Sequence, residues 1–144
     1  MNRRQALQLF AGSSALLMAG CNSLGEQPGP FNFAIVNLRE QSYSAEFTVR
    51  DDDDDILIDG SVDIAASPPG DGEATVLNFE ELTQVTNGDS IDVRIQVAGE
   101  TYEESYEVTC NQSEKAQNNF FFRIRHPEAP TSSETGMEFA GSEC

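Results

Sequence analysis

The sequence predicts an all-β fold, a single antiparallel sandwich of two sheets over residues 31–127. From Phe31 onward, apolar residues recur at every second position in short segments, which is the period of a half-buried strand. Turn-forming glycine, proline, asparagine and aspartate residues separate these segments. We count seven such strands between Phe31 and Arg125 and no segment with a helical period. Short strands linked by turns in this number are typical of a two-sheet sandwich.

A β-hairpin is predicted around five consecutive aspartates, Asp51–Asp55. Pairing Arg50 with Asp55 places Val49 opposite Ile56 and continues along both strands. In this register one face collects the apolar residues of both strands: Tyr43, Ala45, Phe47, Val49, Ile56, Ile58, Val62. A slip of one residue would turn one strand's apolar set to the other face, so we predict this register.

A second hairpin is predicted at Ala98–Gly99, after the alternating strand Ile91–Val97. The strand that follows places one apolar set on one face: Tyr102, Tyr106, Val108, Cys110. The remaining predicted strands are Phe31–Leu38, Ala74–Phe79 and Asn119–Arg125. The whole domain has the size of an immunoglobulin-like domain, although the chain has no tryptophan and lacks the antibody-type cysteine and tryptophan arrangement.

The first twenty residues form a basic start followed by an uncharged apolar stretch, which is typical of a signal peptide and too short for a comfortable membrane span. The segment with Arg3, Arg4 and Leu7 resembles the R-R-x-x-L core of twin-arginine export signals. Ala19-Gly20-Cys21 resembles the end of a lipobox. This resemblance implies cleavage before Cys21, lipid on its thiol, and a tether over residues 21–30; a stable anchor needs two acyl chains. An ordinary N-terminal anchor helix with an incidental cysteine is the alternative.

The chain is strongly acidic, with 25 acidic and 8 basic residues and a net charge of −17. Such charge destabilises a small domain in dilute buffer, whereas at molar salt the Debye length falls to about 3 Å and the repulsion is screened. Together with the signal and lipobox, this composition resembles the secreted lipoproteins of halophilic archaea. The resemblance implies a lipid-anchored protein at the cell membrane, facing outside. An acidic binding face is the alternative explanation, and a nucleic acid partner is excluded for lack of a basic patch.

Three cysteines allow one disulfide once Cys21 is assigned to the lipobox. The pair left is Cys110 and Cys144, and a bond between them would tie a C-terminal tail, residues 128–144, to the end of a core strand. Free thiols or a metal site are the alternatives. Asn111-Gln112-Ser113 is an N-glycosylation sequon, so Asn111 is a candidate for modification.

Two other groups of residues are candidate ligand sites. The carboxylates of Asp51, Asp53 and Asp55 could hold Ca²⁺, but the run lacks the EF-hand pattern, and a solvated hairpin loop is the better interpretation. Glu104 falls on the apolar face of its strand, where a buried carboxylate could mark a site and a sheet-edge position is the alternative. Cys110, His126 and Met137 are the ligand types of a blue-copper site, but their spacing does not fit one.

No catalytic residue and no cofactor is predicted, because the single histidine, His126, has no nucleophile or phosphate-binding motif to accompany it. The first hypothesis is a non-catalytic, lipid-anchored surface module that binds an envelope protein or glycan or serves as an accessory subunit. The alternative is a lipoprotein that binds a small ligand or a divalent metal. Both rest on location and fold, with membrane lipid as the one partner that Cys21 implies.

Overall fold

The computed structural model describes residues 28–70, 72–109, 111, 116–126 and 135–142. Within these ranges every regular element is a strand, and no helix could cross a membrane. Two sheets of four strands pack against each other, which confirms the predicted all-β sandwich. The eight strands are β1 Gly29–Asn37, β2 Tyr43–Arg50, β3 Ile56–Ile64, β4 Thr75–Val85, β5 Ser90–Val97, β6 Glu100–Glu107, β7 Asn118–Ile124 and β8 Met137–Ser142.

Sheet A has the strand order β4-β1-β7-β8, and sheet B has the order β3-β2-β5-β6. Five of the six strand pairs are antiparallel, as predicted, and the exception is β1 with β7. These two strands run parallel, from Phe31 opposite Asn118 to Asn37 opposite Ile124. The strand order also differs from that of an immunoglobulin domain, where the second and third strands lie in different sheets.

The core lies between the two sheets and is lined by the inward side chains of both. Sheet A contributes mainly aromatic rings, and Phe31, Phe33 and Phe122 are fully buried. Sheet B contributes smaller β-branched residues such as Val49 and Ile95, which are also fully buried. Each of these side chains contributes about 1.5–3 kcal/mol through removal from water. The interleaving of large and small groups is what holds the sheets face to face.

The hairpin of β2 and β3 is confirmed, but its predicted register is wrong by two residues. Val49 lies opposite Ile58, not Ile56. One residue of the shift comes from the turn, where Asp54 adopts a φ of 64° and Asp51 N donates to Asp55 O at 3.0 Å. The other comes from an irregularity in pairing between Val49 and Arg50. A shift of two preserves the face of every side chain, so the pattern could not reveal it.

The second hairpin follows the prediction. Val97 pairs with Glu100 across the two residues Ala98 and Gly99. Their φ angles, 52° and 79°, are both positive, as a type I′ turn requires.

Strand β4 extends to Val85, six residues past its predicted end at Phe79. A bulge allows this, because Phe31 pairs with Thr83 whereas Phe33 pairs with Phe79. Within it, Glu81 has a φ of 53° and its N–H donates to Asn32 Oδ1 at 2.8 Å.

The C-terminal segment predicted as a tail, residues 128–144, contributes an eighth strand, β8, which pairs with β7. Arg39 anchors the approach to β8: Nε donates to Arg125 O at 2.6 Å, and the guanidinium also donates to Thr135 O. The domain therefore extends beyond its predicted limit at residue 127. It also starts slightly earlier, because β1 begins at Gly29 inside the predicted tether.

Replacing Ala98 by asparagine should stabilise the protein by about 1 kcal/mol, because a left-handed conformation is costly for alanine and favoured by Asn-Gly in type I′ turns. Thermal unfolding at molar salt measures the change, with Ala65→Asn in an exposed loop as the control expected to be neutral. A loss of stability in Ala98→Asn would contradict the turn geometry.

Candidate functional site

The aspartate loop is held by its own carboxylates. Asp51 Oδ1 accepts hydrogen bonds from the N–H groups of Asp53, at 3.0 Å, and Asp55, at 2.9 Å. Asp52 Oδ1 accepts from both the N–H and the hydroxyl of Ser90, each at 2.7 Å. These contacts give two of the five aspartates a structural role in closing the hairpin and fixing it to the start of β5.

Ligand oxygens of Asp51, Asp53 and Asp55 lie within 4.8 Å of one another. This is the only group of three or more histidine, cysteine or acidic side chains that comes together in this way in the described ranges. Asp53 and Asp55 are exposed. Asp51 Oδ1 is already engaged by two backbone amides, and the exposure of Asp53 and Asp55 leaves the cluster open to solvent.

The other candidate ligands do not form a site. Glu104 is exposed and lies opposite Val93 on the edge strand β6, which supports the sheet-edge alternative. His126 is exposed after β7, whereas the side chain of Met137 is 3% exposed and belongs to the core. The remaining predicted positions lie outside the described residues: Arg3, Arg4, Leu7, Cys21, Cys110 and Cys144.

Asn111 is fully buried, which argues against its glycosylation in the folded protein. Its Nδ2, the atom that would carry a glycan, donates to Val85 O at 2.9 Å. Its backbone is also fixed, since its N–H donates to Asn87 Oδ1 at 2.7 Å. The sequon asparagine therefore has a structural role, joining the end of β4 to the chain after β6.

The outer surface of sheet B, which we call the polar face, carries polar and charged side chains along its four strands, together with Ile56, which lies opposite Arg50 and is 50% exposed. Its members are Asp59, Ser61, Asp63, Ser44, Glu46, Thr48, Arg50, Ser90, Asp92, Arg94, Gln96, Thr101, Glu103, Ser105 and Glu107. Six carboxylates stand against two arginines, which gives this face a net charge of −4. Three adjacent shallow grooves cross it, with volumes of about 420, 510 and 310 Å³.

The outer surface of sheet A, the apolar face, is different. Its members on the four strands are Val76, Asn78, Glu80, Gln84, Pro30, Asn32, Ala34, Val36, Asn119, Phe121, Arg123, Glu138 and Ala140. Val76 is 46% exposed. Arg123 lies over the ring of Phe121 at 5.5 Å, and Arg125 reaches Glu138 at 3.0 Å. Arg123 and Arg125 stand against Glu80 and Glu138, so this face has no net charge in a protein of net charge −17.

The sequence analysis missed the apolar face, although a signal was present. Phe31–Leu38 contains apolar residues on both faces of the strand, in contrast to the alternation of β2 and β5. A run of this kind indicates a strand with apolar surroundings on both sides.

Comparison of the sequence with protein-family models finds no match, and comparison with curated proteins finds none either.

Asp51→Ala should destabilise the protein by about 1–2 kcal/mol, because two backbone amides lose their acceptor, whereas Asp51→Asn keeps the acceptor and most of the stability. Asp53→Ala is the matched control in the same loop. The measurement is thermal unfolding at molar salt, with and without Ca²⁺. A rise in the wild-type melting temperature with Ca²⁺, lost in both Asp51 variants, would contradict a purely structural loop and support a metal site.

Proposed function

We propose that this protein is a non-catalytic binding module, exported by the twin-arginine route and held at the outer side of the cell membrane by lipid on Cys21. Its partner is an envelope protein or glycan, bound at the polar face. The observation that carries the proposal is the set of three adjacent grooves on that face, which is open along all four strands of sheet B.

The chemistry of the grooves favours a polar partner. Glu46 and Gln96 both border the 420 Å³ and the 310 Å³ grooves. Arg94 borders the 510 Å³ and the 310 Å³ grooves. Hydroxyl, amide, carboxylate and guanidinium groups supply both donors and acceptors, the inventory needed to bind a hydroxylated or polar surface. Arg94 and Glu103 form an ion pair at 3.2 Å while their side chains stay 63% and 66% exposed. Such a pair can exchange partners at little cost.

Export and anchoring rest on the sequence motifs, with Arg3, Arg4 and Leu7 in the export signal and Cys21 in the lipobox. The position of β1 is compatible with them, because the folded domain begins at Gly29, eight residues after Cys21. The strong acidity fits a domain that works in concentrated salt, as in the secreted lipoproteins of halophilic archaea that it resembles.

A disulfide between Cys110 and Cys144 is part of the proposal. Their described neighbours converge at one corner of sheet A: Ser142 pairs with Asn119, and Asn111 Nδ2 and Asn118 Nδ2 lie 3.3 and 3.4 Å from the point where a Cβ on Gly29 would be. Closing this loop contributes about 4 kcal/mol in the chain-entropy view.

A lipoprotein that binds a small ligand or a divalent metal is the second candidate function. The convergence of the Asp51, Asp53 and Asp55 carboxylates favours it. The Ca²⁺ titration of the Asp51 variants decides between this candidate and a structural loop.

Mass spectrometry of the mature protein from host membranes, without reduction, tests the covalent part of the proposal. We expect lipid on an N-terminal Cys21, a Cys110–Cys144 cross-link and no glycan on Asn111, since the latter is buried. Ser113→Ala removes the sequon without changing Asn111 and should leave the mass otherwise unaltered. Alkylation of both cysteines without reduction would eliminate the disulfide.

Affinity purification from native membranes at molar salt tests the binding function. The wild type should retain a stoichiometric partner, and Cys21→Ser should lose it together with membrane attachment. Gln96→Arg, which places a bulky cation between two grooves, should lose the partner and remain attached. Asn78→Arg on the opposite, apolar face is the matched control and should retain the partner.

If the wild type is recovered alone, the accessory-module proposal fails. If Gln96→Arg and Asn78→Arg retain the partner equally, the polar face is not the binding surface.

A further inference from the structure

We propose that two copies of this chain pair through β3, with the strand of one copy antiparallel to the same strand of the other. A two-fold axis passes beside Gly60, perpendicular to sheet B, and each copy contributes its four strands to one continuous sheet. The pairing uses an edge of the fold. It depends neither on the lipid anchor nor on a partner bound at the polar face.

The first argument is that β3 lacks the devices that keep the other described edge strands from pairing. Sheet edges are normally protected by bulges, short strands or clustered charges. β4 is interrupted by its bulge at Glu81, β8 has six residues, and β6 carries four glutamates. β3 runs for nine residues, Ile56–Ile64, without proline or lysine, and its single pairing irregularity lies at its start.

The outer edge of β3 is also accessible. Gly60 is exposed, and apart from its chain neighbours no heavy atom lies within 4 Å of the point where a Cβ on it would be. Within the described ranges, no backbone group of β3 bonds to a residue outside its own sheet. Because β3 is a terminal strand, the backbone groups that point away from β2 are available to a further strand.

The second argument is self-complementarity. In a pairing centred on Gly60, Ile58 of one copy lies opposite Val62 of the other, and Asp59 lies opposite Ser61. Opposite residues share a face, so apolar side chains meet on the core side and polar ones on the polar face. Centring on Asp59 would place two copies of Asp59 opposite each other, and centring on Ser61 would place Asp59 opposite Asp63. Like charges oppose both, and the centre at Gly60 gives the longest pairing.

The pairs formed across the axis are of a kind that this sheet already uses. Ser44 Oγ donates to Asp63 Oδ1 at 2.7 Å between β2 and β3, and Ser105 Oγ donates to Asp92 between β5 and β6. The two-fold axis adds two more such pairs, in which Ser61 of each copy donates to Asp59 of the other. Cross-strand pairs of this type stabilise a sheet.

The opposite edge of sheet B shows that exposure alone does not select β3. The sequence of β6 is ETYEESYE. Every two-fold centre that would pair five or more of its residues on matching faces places one glutamate opposite another. Such contacts destabilise a pairing, so β6 is not self-complementary and β3 is.

The side of the sandwich at β3 also presents apolar surface. Ile58 and Val62 of β3 and Leu77 and Phe79 of β4 are half-buried and pack against the core. Pairing covers this side, which measures about 30 Å by 20 Å, or up to about 600 Å² on each copy. Stable interfaces bury about 800 Å² on each partner, so we expect a weak dimer with a dissociation constant on the order of 10 µM.

Sedimentation velocity of the full mature chain carrying Cys21→Ser tests this pairing. The variant carries no lipid, so the measurement at molar salt needs no detergent, and the salt screens repulsion between two chains of net charge −17. We expect a reversible monomer–dimer equilibrium between about 1 and 100 µM protein.

Two variants make the result specific to β3. Ser61→Asp sets a carboxylate opposite Asp59 of the other copy and should raise the dissociation constant about tenfold or more. Adding Asp59→Ser exchanges the two partners, keeps the wild-type net charge and should restore the wild-type dissociation constant. Both variants place the new carboxylate opposite Glu46 within the sheet, so restoration assigns the loss to the contact between copies.

Thr101→Asp on β6 is the matched control, because it adds the same charge at the other edge of sheet B and should leave the dissociation constant unchanged.

Each outcome decides the proposal. A wild-type surface that stays monomeric at about 100 µM overturns the pairing. A dimer that Ser61→Asp leaves intact, or that the double variant does not restore, forms through another surface and overturns it as well. Recovery or loss of an envelope partner in the affinity purification does not enter these measurements, so the proposed function succeeds or fails separately.

Discussion

The position of β1 in the middle of sheet A is the constraint on which the rest of the structure depends. The first strand inserts between β4 and β7, antiparallel to one and parallel to the other. This pairing joins the two ends of the domain and buries Phe31 and Phe33 between the sheets. The ring centroid of Phe33 lies 6.1 Å from that of Phe47 on sheet B. Because both neighbours of β1 come from distant parts of the sequence, sheet A can form only when most of the chain has been brought together.

That constraint also makes the two sides of the domain unequal. Sheet B is built from two local hairpins in which β2 and β5 alternate strictly, so most of its outer side chains are polar or charged. Sheet A contains β1, which has apolar residues on both of its faces, so Ala34 and Val36 lie on the outer surface of the sheet. The asymmetry between the polar and apolar faces is thus a consequence of how the sheets are assembled.

Local patterns predicted the fold class and both hairpins, because a period of two and a turn sequence act over a few residues. They did not predict the register at Val49, since the left-handed Asp54 and the adjacent pairing irregularity add a shift of two that leaves the pattern unchanged. They also missed β8, whose sequence Met137–Ser142 has little alternation and depends on Arg39 for its approach. The parallel pairing of β1 with β7 has no local signal at all.

The candidate sites also divide into features that the sequence could predict and features that only the structure shows. The aspartate run was visible in the sequence, but only the structure shows that Asp51 accepts hydrogen bonds from the amides of its own loop. Asn111 was visible as a sequon, and burial gives it a structural role instead. In the sequence, the only sign of the apolar face was that apolar and polar residues do not alternate in Phe31–Leu38. A departure from the expected pattern revealed the difference between the two faces, which none of the motifs did.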